Sequence, residues 1–478
     1  MEDYPDRLEM FIDGAWTGGG GRDMQPVLDP ATGNPIGALP MATAADLDLA
    51  LAAVDKGFRS WRATAPAVRG AIMRRAAALL RERASALSAI VTREQGKPLA
   101  EARGEIARAA DILDWDAAEG QRAYGRVVPG LDGIQQSVLR KPIGPVAAFS
   151  TWNVPVVSPA RKISGALAAG CSIVIKASEE TPASAIALVR CFDDAGLPPG
   201  VLNLVFGVPD AVSRQLIASP AIRLVTLTGP IAVGKHLARL CADQMKPSTM
   251  ELGGHSPVIV CEDADAAAAA RLTASSRYRN AGQICTAPTR FFVHESRYQT
   301  FLDTFVACAR SLRVGNGSDE GVEMGPLANE RRLTAMERLV ADARSHGARV
   351  VTGGRRIGDR GNFFEPTVLT DLPEAAEVMR MEPFGPLALV MPYHDLDDAV
   401  ERANSLPYGL AAYAFTGSTA TLSRLVSGLE SGSLSVNHMN GIGLPELPLG
   451  GVKESGYGHE GGAESLQAYF TTMVVSQA

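Results

Sequence analysis

The sequence predicts an α/β fold with two sheet-containing domains, and three observations support this prediction. Apolar runs alternate with amphipathic stretches from about Gly144 to Met250, which is typical of parallel strands buried beneath helices. A second alternation of the same kind extends from about Glu262 to Asn437. The chain has 478 residues, of which 46% are hydrophobic, so it is long enough to form more than one core.

The first half begins with a helical layer. Thr43–Asp46 has the form of a helix-capping box, and apolar residues follow at helical spacing to about Leu113. The strands predicted beyond Gly144 are Val146–Phe149, Ser172–Ile175, Leu202–Phe206 and Leu224–Leu227. The helices predicted between and after them cover Lys162–Ala169, begin at Pro182 and at Asp210, and cover Lys235–Cys241.

The second half contains further predicted strands. They are Phe291–Val293, Ala348–Thr352, Leu387–Val390, Ala412–Phe415 and Ser433–Val436. Two other segments, Tyr124–Lys141 and Tyr469–Ser476, look like isolated strands that belong to neither sheet. Strands without a sheet of their own often complete one across a subunit interface.

Charge and composition exclude several classes of partner. The chain carries 46 Lys and Arg against 52 Asp and Glu, a net charge of −6, without long blocks of one sign. This distribution offers no electrostatic footprint for nucleic acid or for an anionic membrane. The acidic N-terminus has no apolar signal segment, and no apolar stretch reaches the roughly 18 residues that cross a bilayer. We therefore expect a cytoplasmic protein that binds a small molecule.

The six cysteines are scattered, with no Cys-x-x-Cys pair and no Cys/His cluster at zinc-ligand spacing. We therefore expect reduced thiols and no metal. Cys285 stands among small residues in the segment Arg279–Thr286, where it is a candidate nucleophile. The alternative is a buried structural cysteine, which is the commoner role of a free cysteine.

Two segments at predicted strand ends favour a dinucleotide site. The strand Leu224–Leu227 runs into Thr228–Gly234 and a helix, which aims free backbone N–H groups at a phosphate. The sequence is not Gly-x-Gly-x-x-Gly, so an ordinary helix start is the alternative. Lys176 and Glu179 leave another strand, where they could hydrogen-bond a ribose, and the carboxylate would repel a 2′-phosphate and favour NAD over NADP. The alternative for this pair is a solvated ion pair.

Seven motifs occur along the chain in a fixed order. They are Thr151–Pro155, Lys176–Pro182, Gly229–Gly234, Met250–Gly254, Asn280–Cys285, Glu382–Pro386 and Pro448–Gly451. Through them the chain resembles the aldehyde dehydrogenase superfamily from about residue 10 to its C-terminus. The resemblance implies a Rossmann-type dinucleotide-binding domain over 1–123 and 142–250 and an α/β catalytic domain over 251–437. It also implies a small β oligomerisation flap from 124–141 and 463–478, and a return segment, 438–462, that lines the active site.

The resemblance also implies catalytic roles. Cys285 would be the nucleophile, Glu251 the general base, and Asn153 an oxyanion donor together with the Cys285 backbone N–H. This chemistry fits the residue types, because a thiohemiacetal oxyanion needs neutral donors and the following thioester needs an activated water. Lys162 and Glu460 match positions that pass a proton outward, and a surface ion pair is the alternative for them.

Several positions are implied to bind the dinucleotide. They are Trp152, Lys176, Glu179, Gly207, Gly229, Glu382 and Phe384. NAD is the preferred cofactor by this resemblance, and NADP remains an alternative. Three residues depart from the usual pattern: Pro230 stands in place of a serine, Thr151 in place of a proline, and Leu449 in place of an aromatic residue in the substrate tunnel.

Arg161 and Arg279 are implied to reach the substrate tunnel, where two guanidinium groups would suit the carboxylate of an anionic substrate. The alternative for each is a salt bridge to a neighbouring carboxylate. The same pair of arginines is found in succinic semialdehyde dehydrogenases. The chain looks more similar still to bacterial 2-oxoglutarate semialdehyde (2,5-dioxopentanoate) dehydrogenases, through the segments Tyr124–Arg126, Arg331–Met336, Gly361–Phe364 and Ser455–Gly462. An aromatic or aliphatic aldehyde is the alternative substrate, and a non-catalytic binding or structural protein is the alternative class. The resemblance implies a homodimer or a homotetramer.

Overall fold

The structure is a computed structural model that describes residues 4–130, 132–439 and 443–478. Parts of three predicted features, the acidic N-terminus (1–3), the segment Tyr124–Lys141 (131) and the return segment (440–442), lie outside these residues. The strands are β1 Met10–Ile12, β2 Ala15–Thr17, β3 Met24–Leu28, β4 Pro35–Pro40, β5 Arg126–Val128, β6 Gln135–Pro142, β7 Val146–Phe149, β8 Ile173–Lys176, β9 Leu202–Val205, β10 Leu224–Thr228, β11 Ser248–Glu251, β12 Ser256–Val260, β13 Pro288–His294, β14 Arg349–Thr352, β15 Thr367–Thr370, β16 Leu387–Tyr393, β17 Ala411–Phe415, β18 Ser433–Val436, β19 Gly456–Tyr457 and β20 Phe470–Gln477.

The helices pack on both sides of the sheets. They are α1 Ala44–Trp61, α2 Pro66–Glu82, α3 Ala84–Gln95, α4 Leu99–Glu119, α5 Val157–Ala169, α6 Pro182–Asp194, α7 Pro209–Ala218, α8 Ile231–Asp243, α9 Ala266–Tyr278, α10 Glu295–Ser311, α11 Glu330–Ser345, α12 Leu396–Asn404, α13 Thr419–Gly428 and α14 Gly462–Gln467. None of the helices in the described residues combines the length and apolar character needed to cross a bilayer.

The first sheet has the order β19-β11-β10-β7-β8-β9-β1-β2, and its strands β7 to β11 are parallel. Strands β7, β8 and β9 are buried throughout, because their residues are almost all apolar and helices cover both faces. The chain passes from β7 to β8 and β9 on one side, then returns to β10 and β11 on the other. Such a reversal opens a crevice at the carboxyl ends of the central strands, where ligands bind in open α/β sheets.

The second sheet has the order β14-β15-β16-β13-β12-β17-β18 and is parallel except for the β14/β15 pair. Its core is separate from that of the first sheet and includes Phe291, Phe305 and Val390. The prediction that this series begins near Glu262 was wrong, because the buried strand β12, Ser256–Val260, precedes that point. Pro257 lies within this strand, and a proline weakens the strand signal of an apolar run.

The segments predicted as isolated strands pair with each other. β5, β6 and β20 form a three-stranded antiparallel sheet, in which Phe470 to Gln477 align with Pro142 to Gln135. The segment Tyr124–Lys141 therefore folds as a hairpin, with Gly133 in the left-handed conformation of its turn. The Asp132-Gly133 pair is a hairpin signal that the sequence interpretation missed.

Local start signals behave as the sequence predicts in one case and differ in another. Thr43 caps α1 and forms the complete capping box with Asp46, so this prediction is confirmed. Helix α8 begins at Ile231, earlier than the predicted Lys235, because Pro230 is the N-cap and its fixed φ suits a helix start. The first backbone N–H groups of α8 therefore come from Ile231 onward, separated from Gly229 by Pro230 alone.

Candidate active site

Residues from both sheets meet at one place. Asn153 follows β7, Lys176 ends β8 and Glu251 ends β11, all at the carboxyl edge of the first sheet. Cys285 and Glu382 precede β13 and β16 of the second sheet. The Asn153 amide Nδ2 donates to the carbonyl oxygen of Gln283, two residues before Cys285, at 3.0 Å. The crevice of the first sheet therefore faces the cysteine segment of the second.

The backbone before Cys285 is held in an unusual conformation. Asn280 and Ala281 have φ of 51° and 50°, and Gly282 has φ of 74°, so three successive residues are left-handed. For residues other than glycine this costs roughly 1 kcal/mol each and persists only where surrounding contacts enforce it. The Asn280 backbone N–H donates to Glu101 at 2.9 Å, and its side chain donates to the Asn153 carbonyl at 2.8 Å. These bonds fix the segment that presents the thiol.

Arg277 is a buried residue that the sequence interpretation missed. Its guanidinium donates to the carbonyl oxygens of Gly282 at 2.8 Å and Gly385 at 2.6 Å. A side chain at Gly282 would overlap this guanidinium, so only glycine fits there. Arg277 thus ties the cysteine segment to the turn that contains Glu382, although a helical arginine gives no sign of this in the sequence.

Cys285 is half-buried and faces a cavity of about 390 Å³. Burial, together with the nearby carboxylates of Glu382 and Glu251, raises the pKa of its thiol to about 12. The other five cysteines, Cys171, Cys191, Cys241, Cys261 and Cys308, are also unpaired, and none of them lines this cavity. Cys285 is therefore the cysteine placed where a substrate could reach it.

Glu251 is buried, and neither of its carboxylate oxygens has a hydrogen-bond partner. Burial raises its pKa well above the ordinary value, and the charge of Glu460 adds to this, while Lys162 and Arg161 oppose it. A carboxylate with a raised pKa takes up a proton more readily than that of an ordinary glutamate. The arrangement suits a general base.

Lys162 and Glu460 form a buried ion pair, which differs from the surface pair that the sequence left as the alternative. Lys162 Nζ also donates to the Thr228 hydroxyl at 2.6 Å. Glu460 is held by backbone hydrogen bonds with Leu449, at 2.7 and 2.8 Å. The two charges lie within electrostatic reach of Glu251. Because neither Glu251 oxygen has a hydrogen-bond partner, this pair acts on the candidate base through its charges.

Thr151 has a role that its sequence position did not predict. Its hydroxyl donates to Asn153 Oδ1 at 2.6 Å, while Asn153 Nδ2 donates to Gln283. These two bonds fix the orientation of the Asn153 amide, with Oδ1 towards Thr151 and Nδ2 towards Gln283. Since an oxyanion site needs donors in a fixed orientation, Thr151 strengthens this property. The proline that the family pattern has at this position could not donate such a bond.

The cofactor positions lie along the carboxyl edge of the first sheet. Lys176 and Glu179 form an ion pair at 2.6 Å, and Glu179 accepts a hydrogen bond from the Gly207 N–H at 3.1 Å. The carboxylate is thus held at the crevice by two donors. A hydrogen-bonded carboxylate fits the hydroxyl groups of a ribose.

At the other end of the crevice, the rings of Trp152 and Phe384 meet edge to face, with centroids 5.5 Å apart. Phe384 has φ of 44°, a strained conformation for a bulky residue. Glu382 has one buried carboxylate oxygen without a partner, and burial raises its pKa to about 8. An unpaired buried oxygen beside aromatic rings fits a nucleoside with hydroxyl donors. The residues present are therefore compatible with a dinucleotide.

Among the described residues, no group of three or more His, Cys, Asp or Glu side chains is placed to hold a metal ion.

The cavity at Cys285 is lined by the predicted substrate residues Arg161, Arg279 and Leu449. Arg161 is buried, and its Nη1 has no hydrogen-bond partner. Neither arginine forms a salt bridge within the described part of the chain, so the alternative of a neighbouring carboxylate partner is not supported. Arg108 of α4 also lines the cavity and was missed, because it lies in a helical stretch far from every motif.

Residues 16–475 match the family model for the aldehyde dehydrogenase family. The chain belongs to the aldehyde dehydrogenase family. It is an NAD(P)-dependent aldehyde dehydrogenase, and the alternative of a non-catalytic protein on this fold is not supported.

Individual relatives agree with this assignment. The chain is 49% identical over 465 residues to the 4-(hydroxymethyl)benzenesulfonate dehydrogenase TsaD1 of Comamonas testosteroni, covering 97% of each chain. It is 38% identical to the NADP(+) succinate-semialdehyde dehydrogenase GabD of Escherichia coli, covering 97% of this chain and 96% of that one. The crystal structure of succinate-semialdehyde dehydrogenase from Burkholderia pseudomallei is 40% identical, with a TM-score of 0.96 over 99% of this chain and 98% of that chain.

Proposed function

We propose that this aldehyde dehydrogenase oxidises an aldehyde whose far end carries an anion. The observation that carries the proposal is the buried Arg161, which lines the same cavity as Cys285 and whose Nη1 has no hydrogen-bond partner. A buried cation without a partner is costly, and a bound anion would relieve that cost. Arg279 lines the cavity as a second cation.

In this proposal the Cys285 thiol releases its proton to water in the cavity as its sulfur attacks the aldehyde carbon, and the thiohemiacetal oxygen that forms is held by the Asn153 amide and the Cys285 backbone N–H. When bound, NAD(P) supplies the hydride acceptor. The resulting thioester is hydrolysed by a water from which Glu251 takes a proton. Lys162 and Glu460 then pass this proton outward along their buried contact. Transfer of the acyl group to coenzyme A instead of water is not favoured, because such a reaction does not need the hydrolytic base that Glu251 supplies.

Two classes of anionic aldehyde are supported. The first is a carboxylated semialdehyde, either 2-oxoglutarate semialdehyde or succinic semialdehyde, which two arginines would bind through the carboxylate. The Escherichia coli relative named above acts on a substrate of this class. The second is a sulfonated aromatic aldehyde, favoured by the identity of 49% to the Comamonas enzyme. Leu449, which stands in place of an aromatic residue, leaves room for a ring in the tunnel.

Replacing Arg161 with leucine is expected to raise KM for succinic semialdehyde by roughly 10- to 100-fold, which corresponds to the loss of a charge-assisted hydrogen bond. The KM for butanal, which has the same chain length without the charge, is expected to stay within about threefold. Steady-state kinetics with both aldehydes measure this. An unchanged KM for the semialdehyde would show that Arg161 does not bind the substrate.

For the cofactor, we propose that NAD is preferred because the Glu179 carboxylate would lie against the 2′-phosphate of NADP. Glu179→Gln is expected to raise the kcat/KM ratio of NADP to NAD by about tenfold, since it removes the repulsion and frees Lys176. The matched control is Glu180→Gln, because Glu180 is paired with Asn329 and Arg331 away from Gly207. Equal effects of the two substitutions would remove Glu179 from cofactor selection.

We also propose roles for the domains. Residues 1–123 and 142–250 would bind the dinucleotide, 251–437 would carry the nucleophile, and 438–462 would close the site through Leu449 and Glu460. Segments 124–141 and 463–478 would join subunits into a homodimer or a homotetramer, because β20 is an exposed edge strand of the small sheet. Light scattering of the purified protein measures the oligomer size, and a monomer would contradict this role.

The test of the proposed function is a side-by-side comparison of aldehydes with NAD and with NADP. The set contains succinic semialdehyde, 2-oxoglutarate semialdehyde, 4-formylbenzenesulfonate, butanal and benzaldehyde. We expect the anionic aldehydes to exceed the neutral ones in kcat/KM. Higher values for the neutral aldehydes would reject the anionic substrate while leaving the aldehyde dehydrogenase activity intact.

A further inference from the structure

A third arginine, Arg108, lines the cavity at Cys285, and its guanidinium lies within electrostatic reach of Arg279 and Arg161. Glu101, Gly104 and Glu105 of the same helix also line the cavity, and their spacing of three and four residues places them with Arg108 on one face of α4. Arg161 belongs to α5 and Arg279 to the turn after α9. Three cations thus reach the cavity from three separate elements.

The three guanidinium groups have no carboxylate partner of their own. In the described residues, Arg108, Arg161 and Arg279 form neither a salt bridge nor a side-chain hydrogen bond. Burial lowers the pKa of Arg108, the charges of Arg279 and Arg161 lower it further, and the charge of Glu105 opposes this effect, so the three arginines lie close enough to repel one another. Such an arrangement is unfavourable in an empty site and becomes favourable when an anion joins the cations.

The carboxylates on the same helix face are already engaged. Glu105 forms a buried ion pair with Lys97 and accepts hydrogen bonds from the backbone N–H groups of Val156 and Val157 at 2.8 and 3.2 Å. Glu101 accepts from the Asn280 N–H at 2.9 Å. Each of them stabilises the backbone around the site. Neither is within salt-bridge distance of an arginine that lines the cavity.

The number of arginines indicates how many oxygens the bound anion has. A carboxylate has two oxygens in one plane, and a single bidentate guanidinium can engage both. A sulfonate has three oxygens arranged as a tripod, so three guanidinium groups that approach from different elements can each engage one. We propose that Arg108 is a specificity-determining residue that makes this site select aldehydes ending in a tetrahedral, three-oxygen sulfonate over those ending in a carboxylate. This inference rests on the proposed function.

The cavity has room for a rigid spacer between the anion and the aldehyde. A side chain at Gly104 would meet no atom within 4 Å, so the space beside α4 is open. Val157, Ile284 and Leu449 supply apolar walls. An aromatic ring between these walls would hold the aldehyde at one end and the sulfonate at the other.

The test uses a matched pair of substrates, 4-formylbenzenesulfonate and 4-formylbenzoate, which differ only in the anion, with benzaldehyde as the uncharged reference. For the unmodified enzyme, kcat/KM is expected to be about tenfold or more higher for the sulfonate than for the carboxylate. Arg108→Gln is expected to bring this ratio close to 1 through a higher KM for the sulfonate. Arg103→Gln, an exposed arginine on the same helix and outside the cavity, is the control and is expected to keep the ratio.

Each outcome decides the matter. A carboxylate preference in the unmodified enzyme, an unchanged ratio in Arg108→Gln, or equal losses for both anions would overturn the inference and leave the proposed function standing. If neither anion exceeds benzaldehyde, the inference fails, and succinic semialdehyde against butanal then decides whether the proposed function fails with it. If Arg108→Gln does not fold, Arg108→Lys answers the question, because it keeps the charge without the planar fork and is expected to lower the sulfonate preference partly.

Discussion

Cys285→Ala is expected to lower aldehyde oxidation by at least about a thousand-fold, because it removes the atom that forms the covalent intermediate. The substitution deletes only a sulfur atom beside a cavity, so the fold is expected to remain intact. NADH absorbance with succinic semialdehyde or 4-formylbenzenesulfonate measures the loss. The same variant is expected to lose one thiol that reacts with iodoacetamide and that substrate protects.

Cys308→Ala provides the control for this experiment. Cys308 is also half-buried and unpaired, but it belongs to α10 and lies outside the cavity. Its replacement is expected to leave both turnover and the substrate-protected thiol unchanged. Turnover by Cys285→Ala comparable to that of the unmodified enzyme would remove Cys285 from the mechanism.

Glu251→Gln is expected to slow steady-state turnover by about 100-fold or more, because glutamine keeps the shape of the side chain but cannot take a proton from water. The thioester should then accumulate. We expect a rapid burst of NADH close to one per active site, followed by a slow phase, and an acyl adduct on Cys285 by mass spectrometry. Stopped-flow absorbance separates the two phases.

The pH dependence follows from the raised pKa of Glu251. A base acts when it is deprotonated, so thioester hydrolysis should increase as the pH rises through this pKa. Because burial and Glu460 raise the pKa well above that of an ordinary glutamate, the increase should occur at a correspondingly higher pH. Glu251→Gln should lose this pH dependence. Loss of the NADH burst in that variant would instead place Glu251 at the thiol step and contradict its assignment to water.

Much of the site could be predicted because short motifs mark strand ends. Asn153, Lys176 and Glu251 each sit at or just after the end of a parallel strand, and such ends gather at one edge of a sheet. The placement of Cys285 at the cavity could be predicted from its motif. Its surroundings could not, because the left-handed turn at Asn280 depends on a hydrogen bond from Glu101 in a distant helix.

The parts that escaped prediction depend on contacts rather than on motifs. Arg108 lies on a helix whose charged residues have the pattern of an ordinary solvated face, and only the packing of α4 against α5 turns that face into the cavity. Thr151 was noted as a departure from the family pattern. Its hydrogen bond to Asn153 depends on the conformation of the loop after β7, which the sequence does not specify. The hairpin β5–β6 was missed because β5 has only three residues, too few to show an alternation of its own before the Asp132-Gly133 turn.

The central claim is that cations in the Cys285 cavity select an aldehyde with an anionic end. The most direct measurement is the kcat/KM ratio within two matched pairs, succinic semialdehyde against butanal and 4-formylbenzenesulfonate against 4-methylbenzaldehyde. The account predicts that the charged member of at least one pair is favoured by about 100-fold or more, which corresponds to one or two charge-assisted hydrogen bonds. Equal or higher values for the neutral member in both pairs would contradict it.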